Sequence, residues 1–231
     1  MIIPVYVLVR DRLQSLIETL DSLQHQQAIT IDIILVDNGT TYPPTLEFIK
    51  ELERTGTKVI WNKGGWLDGV EEDLKSQECD VYGLTDPDVT FIRRDAIRLY
   101  YNMMLSNERI DCVGPNLKTN LLPKNEYTDE QIALQQQQFG EKPVEILHTR
   151  AYGDVKLIRA PIDTTFALRR KKNGIRRFFY DSFRVLHPYD ARHLSWYLDP
   201  KNLPPDEKWY LEHADEKIAT IKKHYRQHGF L

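Results

Sequence analysis

The chain has 231 residues, 41% of them hydrophobic and 28% charged, with a formal net charge of -3 at pH 7. That balance predicts a globular protein with a sizeable core; it excludes an intrinsically disordered chain and gives no bulk attraction for nucleic acid. No apolar run reaches the roughly 20 residues that span a bilayer, and Cys79 and Cys112, each beside an apolar run, read as reduced, buried thiols of a cytoplasmic protein.

The opening "IIPVYVLV" is apolar at once, without the basic lead and small-residue cleavage site of a signal peptide, and predicts a first core strand. The next segment, "RLQSLIETLDSLQ", places Leu13, Leu16, Ile17, Leu20 and Leu23 on one helical face, the stripe of a helix packed on a sheet. Strand "IDIILVD" and helix "TLEFIKELERTG", ended by Gly56, come next. Strands "TKVIW", "CDVYGLTD" and "IDCVGP" follow, separated by helix-period segments. This alternation predicts right-handed βαβ units and a mostly parallel sheet to about residue 115. The polar, glutamine-rich "NLKTNLLPKNEYTDEQIALQQQQFGEKP" reads as a surface excursion with a short helix. Beyond it lie strands "DVKLIRAP" and "DTTFALRR", the aromatic "RHLSWYLDP" and a charged helix, "DEKWYLEHADEKIATIKKHYRQH". With no internal repeat, residues 1–231 read as a single α/β domain: a nucleotide-binding half, 1–115, and a smaller, irregular half, 116–231, that completes a cleft.

In open α/β sheets, ligands bind beyond the carboxyl ends of the strands. Arg10, Asp11 and Arg12 follow the first strand; Asp37, Asn38 and Gly39 the second; Asn62, Lys63, Gly64 and Gly65 the third; Asp86 and Asp88 the fourth. Such residues also make ordinary turns, so it is their recurrence at successive strand ends that argues for a site. Asp86 and Asp88 stand apart by Pro87 alone. Two carboxylates this close repel, and persist most easily where a cation or a proton lies between them. Pro87 biases Asp86 toward an extended backbone and fixes the turn that follows, which makes a stiff platform.

Together these residues resemble a glycosyltransferase of the GT-A fold, the nucleotide-sugar-dependent class that includes the family 2 enzymes. "IPVYVLVRDRLQSLIETLDSL" resembles that family's first strand, turn and helix, and "IDIILVDNGT" its second strand with the base-contacting aspartate. "NKGG" falls where members carry an Asn- and Gly-containing turn, and "TDPDV" resembles the DxD metal motif. The likeness covers roughly residues 2–92 and is looser from "PIDTTFALRR" through "ARHLSWYLDP". It implies a mostly parallel nucleotide-binding sheet flanked by helices, with a smaller acceptor-binding region in the second half. It implies that Asp37 binds the nucleobase or ribose with Arg12 nearby, and that Arg10, Asn38, Asn62, Lys63, Gly64 and Asp86 help to bind the donor. Asp86 and Asp88 would hold Mn²⁺ or Mg²⁺ on the diphosphate, and His193 is a third ligand candidate, since a late histidine serves so in some GT-A enzymes. The implied reaction is metal-dependent transfer of a hexose from a nucleotide diphosphate sugar to a hydroxyl of a glycan or glycolipid acceptor, with inversion. "VRDR" stands where many members carry a small polar residue, which leaves the nucleotide open.

Inverting displacement needs a carboxylate to take the acceptor's proton. Asp163, in "PIDTTFALRR", and Asp190, in "PYDARHLSW", are the candidates. Asp163 is favoured because it follows "RAPI" and opens a strand; the "ED" dipeptide usual in family 2 is absent. Helical spacing in "ARHLSWY" puts His193 on one side with Trp196 and Tyr197. The basic "RRKKNGIRRF", 169–178, reads as a solvated loop, or one that touches a diphosphate or an anionic lipid-linked acceptor at a membrane surface. Two rival readings stay open. "DPDVT" matches the DxDx[TV] signature of haloacid-dehalogenase-like phosphatases, although that motif belongs on a first strand and here lies on the fourth; a non-catalytic nucleotide-sugar-binding module is the other. A dinucleotide-binding oxidoreductase would need G-x-G-x-x-G after the first strand, and "VRDRLQ" has no glycine.

Overall fold

The computed structural model describes residues 2–62, 67–122, 142–176 and 182–215, together with 129, 132–133, 222 and 225–226. Strand β1 (Ile2–Val9), helix α1 (Leu13–Gln24), β2 (Thr30–Asp37), α2 (Pro43–Arg54), β3 (Lys58–Trp61), α3 (Asp68–Ser76) and β4 (Val81–Thr85) alternate as the sequence predicts. A short β5 (Val89–Phe91), α4 (Ala96–Ser106) and β6 (Cys112–Pro115) follow. The described remainder contributes β7 (Val144–Thr149), β8 (Gly153–Arg159), β9 (Ala167–Arg170), β10 (Phe183–Val185), β11 (Ala191–His193) and helix α5 (Pro205–His213).

Seven of the eight β1 residues are buried because both faces of the strand are covered. Val5, Val7 and Val9 pack with Leu16 and Leu20 of α1 and with α4, while Tyr6 and Leu8 pack with Val70 and Leu74 of α3. One residue departs from the expected stripe of α1. Ile17 is 45% exposed, whereas Ser15 and Thr19 turn inward. The hydroxyl of Thr19 is needed there, as the site below makes plain.

The main sheet has nine strands in the order β3-β2-β1-β4-β9-β6-β10-β8-β7. Its first four strands are parallel and in register, with Val9 beside Asp37, Asp37 beside Trp61, and Val7 beside Thr85. Their carboxyl ends therefore open on one edge. Beyond β4 the sheet is mixed rather than mostly parallel. Strand β9, from the second half, runs antiparallel between β4 and β6, so β6 does not extend the parallel run beside β4. Glycine permits this close approach: a Cβ at Gly114 would lie 2.3 Å from the Phe166 carbonyl oxygen. Strand β7 is not legible in the sequence. It is the sheet's edge, Val144 and Ile146 are each 54% exposed, and "VEILHT" lacks a buried face to impose a clean alternation.

The expected long C-terminal helix is shorter among the described residues: α5 begins at Pro205, and Ala214 leaves the helical region with ψ 144°. Most of the glutamine-rich segment lies outside the described residues. Cys79 and Cys112 are free thiols, and burial pushes that of Cys112 up to about 12. Among the described residues no helix is long and apolar enough to cross a membrane.

The basic segment 169–178 is partly turned inward, with Arg169, Arg170 and Lys171 held by the fold while Lys172 and Arg176 are exposed. Arg169 is fully buried and donates to the carbonyls of Arg176 and Asp163. Arg170 donates to Ile110 O at 3.0 Å and to Met104 O, and Lys171 Nζ donates to Gln77 O at 2.6 Å. The carbonyls left over at the C-terminal end of α4 draw Arg170 inward, as such ends draw cations generally. Residues 177–178 lie outside the described residues.

Candidate functional site

The turn after β4 is held from three sides. Asp86 N donates to Thr164 O at 2.7 Å, and Thr164 Oγ1 donates to Asp86 Oδ2 at 2.8 Å. Thr19 Oγ1 donates to Pro87 O at 2.9 Å and accepts from Val89 N at 3.1 Å. Leu194 N donates to Asp88 O at 2.7 Å, while β11 pairs with β5 so that His193 lies opposite Val89. The outcome is a cluster of Asp86, Asp88 and His193 whose ligand atoms all lie within 4.8 Å of one another. His193 Nδ1 is 3.5 Å from Asp88 Oδ2 and 2.8 Å from Ser195 Oγ, and its ring stacks on Trp196. The segment is not an α-helix, although His193 and Trp196 do lie together. A 3-10 turn, Leu194–Tyr197, follows β11, and Tyr197 turns away to donate to Lys118 O at 2.7 Å.

Charge around the cluster is unevenly compensated. Asp88 is fully buried, and its Oδ2 accepts from Arg12 Nη1 at 2.9 Å. Arg12 Nη2 donates to Glu207 Oε1 at 2.9 Å, and the guanidinium lies 4.1 Å over the Tyr210 ring. Among the described residues Asp88 Oδ1 is buried with no hydrogen-bond partner. Burial, reinforced by Asp88 and Asp163, pushes the Asp86 carboxyl up to about 8 against the pull of Thr164 and Arg12. Asp163 is the opposite case: burial pushes it up, but Arg184, the hydroxyl and amide of Thr165, and His193 outweigh that and hold it below the usual carboxylate value. Two carboxylates and an imidazole, one oxygen buried without a partner, suit a hard divalent cation such as Mg²⁺ or Mn²⁺.

Other expected residues fall into two groups. Asp37, Asn38 and Asn62 come together where β1, β2 and β3 end: Asn62 Nδ2 donates to Asn38 Oδ1 at 2.9 Å, and Asn62 N to Asp37 O at 3.0 Å. The Asp37 carboxylate accepts from Gly39 N and Thr40 N, each at 3.1 Å, and so also shapes its own turn, where Gly39 takes φ +83°. Arg10 Nε lies 3.9 Å from Asp11 Oδ2, and both atoms are buried without a hydrogen-bond partner. Lys63 and Gly64 lie outside the described residues. The second group is displaced. Arg12 reaches Asp88 and Glu207, where the resemblance placed it near the base. Asp190 is at the opposite end of β11 from His193, roughly 10 Å along the strand at about 3.3 Å per residue, and pairs with His187 at 3.3 Å. Asp163 interacts electrostatically with both Asp86 and His193.

The sequence reading missed Thr19, Thr164, Asp206 and Glu207. Thr19 left a signal: a polar residue inside the stripe Leu16, Leu20, Leu23 asks for a buried partner. Glu207 left none, since its partner is 195 residues away.

No family model matches the chain, and no curated protein matches it by sequence. Solved structures do. A fragment of S. aureus TarS, residues 1–349, in complex with UDP-GlcNAc, is similar over 94% of this chain and 69% of its own, with 14% identity and a TM-score of 0.51. The mannosyltransferase PcManGT from Pyrobaculum calidifontis, in complex with GDP-Man and Mn²⁺, matches 74% of this chain and 44% of its own, with 12% identity and a TM-score of 0.47. Glucosyl-3-phosphoglycerate synthase from Mycobacterium tuberculosis, in complex with Mn²⁺, UDP and glucosyl-3-phosphoglycerate, matches 73% and 57%, with 14% identity and a TM-score of 0.43. The chain spans about half the length of the latter two. The likeness to TarS establishes the fold: α/β, of the GT-A type, a large mixed sheet flanked by helices. The DPD turn follows β4 and not the first strand, where the dehalogenase-like motif belongs.

Proposed function

We propose that this chain is a metal-dependent glycosyltransferase that moves a hexose from a nucleotide diphosphate sugar to a hydroxyl of a glycan acceptor, with inversion. The observation that carries the reading is the gathering of Asp86, Asp88 and His193 within 4.8 Å, at the open edge of a GT-A sheet. The buried, unpartnered Oδ1 of Asp88 supports it. Asp86, Asp88 and His193 would hold Mn²⁺ or Mg²⁺, and the ion would supply positive charge where a diphosphate departs. Arg10, Asp37, Asn38 and Asn62, with Lys63 and Gly64, bind the nucleotide. Asp163, kept ionised by its surroundings, takes the proton of the acceptor hydroxyl. Residues 1–115 serve the donor, with His193 joining them from the second half, and the rest of 116–231 serves the acceptor; the free thiols are in keeping with work in the cytoplasm.

The test is calorimetric titration with UDP, GDP and ADP, with and without Mn²⁺, on the native chain and on Asp86→Ala/Asp88→Ala. TarS holds UDP-GlcNAc, which makes the uridine nucleotide the first to try. Binding of one nucleotide that needs Mn²⁺ and disappears in the double variant is the expected result. Failure of all three nucleotides to bind in Mn²⁺ would overturn the reading. Binding without sugar transfer to any acceptor would reduce the protein to a nucleotide-sugar-binding module.

A further inference from the structure

Helix α5 comes from the far end of the chain, yet it places a carboxylate two contacts away from the cation cluster. Glu207 Oε1 holds one arm of Arg12 at 2.9 Å, and the other arm holds Asp88 Oδ2 at 2.9 Å. The three groups are buried, with Arg12 8%, Asp88 0% and Glu207 2% exposed. Tyr210, one turn along α5, lies 4.1 Å beneath the guanidinium and fixes its plane. One positive charge is therefore shared between two carboxylates; the Oδ2 that Arg12 holds is also the oxygen 3.5 Å from His193 Nδ1, and Asp88 Oδ1 is buried with no hydrogen-bond partner among the described residues.

We propose that Glu207 is a positioning residue for the cation site, drawing Arg12 partly off Asp88 so that Asp88 stays available to a divalent cation. This rests on the reading of Asp86, Asp88 and His193 as cation ligands. Without the Glu207 carboxylate, the whole charge of Arg12 falls on Asp88, and a guanidinium and a divalent ion then compete for the same group. Arg12 is bonded to a cation ligand, and such partners typically change a metal's affinity by about 10–100-fold; Glu207 acts through Arg12, so a loss within that range is expected.

The experiment is titration of the full chain with Mn²⁺ alone, followed by calorimetry and by the electron spin resonance of free Mn²⁺. Glu207→Gln keeps the shape and removes the charge; it should weaken Mn²⁺ binding by about 10–100-fold. Glu207→Asp, which retains the charge, should recover most of the loss. The double variant Arg12→Gln/Glu207→Gln removes both charges, frees Asp88 of its competing guanidinium, and should bind Mn²⁺ at least as tightly as the native chain. This double variant serves equally if Glu207→Gln alone does not fold. Native affinity in Glu207→Gln, or weakened binding in the double variant, would overturn the role of Glu207 and leave the cation site standing. A native chain that does not bind Mn²⁺ would overturn both.

Discussion

Thr19 is a small residue with a large share in the site, since one hydroxyl serves both sides of the Asp-Pro-Asp turn. Thr19→Val keeps the volume and leaves Pro87 O and Val89 N buried without that partner. Each unsatisfied buried group costs about 1–3 kcal/mol, so with two of them urea unfolding should register a loss of about 2–6 kcal/mol. Unchanged stability would mean that the turn is held by Thr164 and Leu194 alone. Legibility in the sequence follows range. Asp86 and Asp88 are neighbours in the chain, and their repulsion is written in three letters. The destination of Arg12 is not, because its two carboxylates arrive 76 and 195 residues later. Asp163 and Asp190 look alike as sequence, both aspartates in a turn; only the pairing of β11 with β5 brings His193 in and leaves Asp190 out.

At the scale of elements, the joints between the two halves carry sharp expectations. Gly114→Ala drives a methyl into the Phe166 carbonyl, forcing β6 and β9 apart. Overpacking of this kind typically costs about 1–3 kcal/mol, read as a lower thermal midpoint; native stability would mean that β9 shifts without penalty. Helix α1 has no side-chain cap of its own at Arg12, and Asp206 of α5 instead accepts from Gln14 N at 2.8 Å. Asp206→Ala should therefore cost about 1 kcal/mol, the usual worth of a helix cap, measured by denaturant unfolding. The βα units to residue 106 were readable because each is built from local periodicity and burial on both faces. The insertion of β9 was not, since its place between β4 and β6 depends on long-range pairing and on the close approach at Gly114, and no local pattern encodes that.

For the whole molecule, the Asp86–Asp88 pair makes stability depend on pH. In the folded chain Asp86 holds its proton up to about 8, against 3.8 for an ordinary aspartate. The folded state then binds more protons than the unfolded one between those values. The contribution is fully present below the lower value and is lost as pH rises through the upper. With a chelator present, the thermal midpoint of the native chain should fall relative to that of Asp86→Asn as pH is raised across this window. Mn²⁺ should remove the fall by taking the proton's place. Parallel curves for the two proteins would show that the pair is not strained by burial. The mixed order of the sheet bears on time as well as shape. Thr164, which clamps Asp86, and β9, which closes β4, lie about 80 residues beyond that strand, or roughly 4–16 s later on a ribosome adding about 5–20 residues per second. Until then β4 has an open edge, and the nascent chain carries its paired aspartates unclamped: the half of the molecule that is first to be made is the last to become a site.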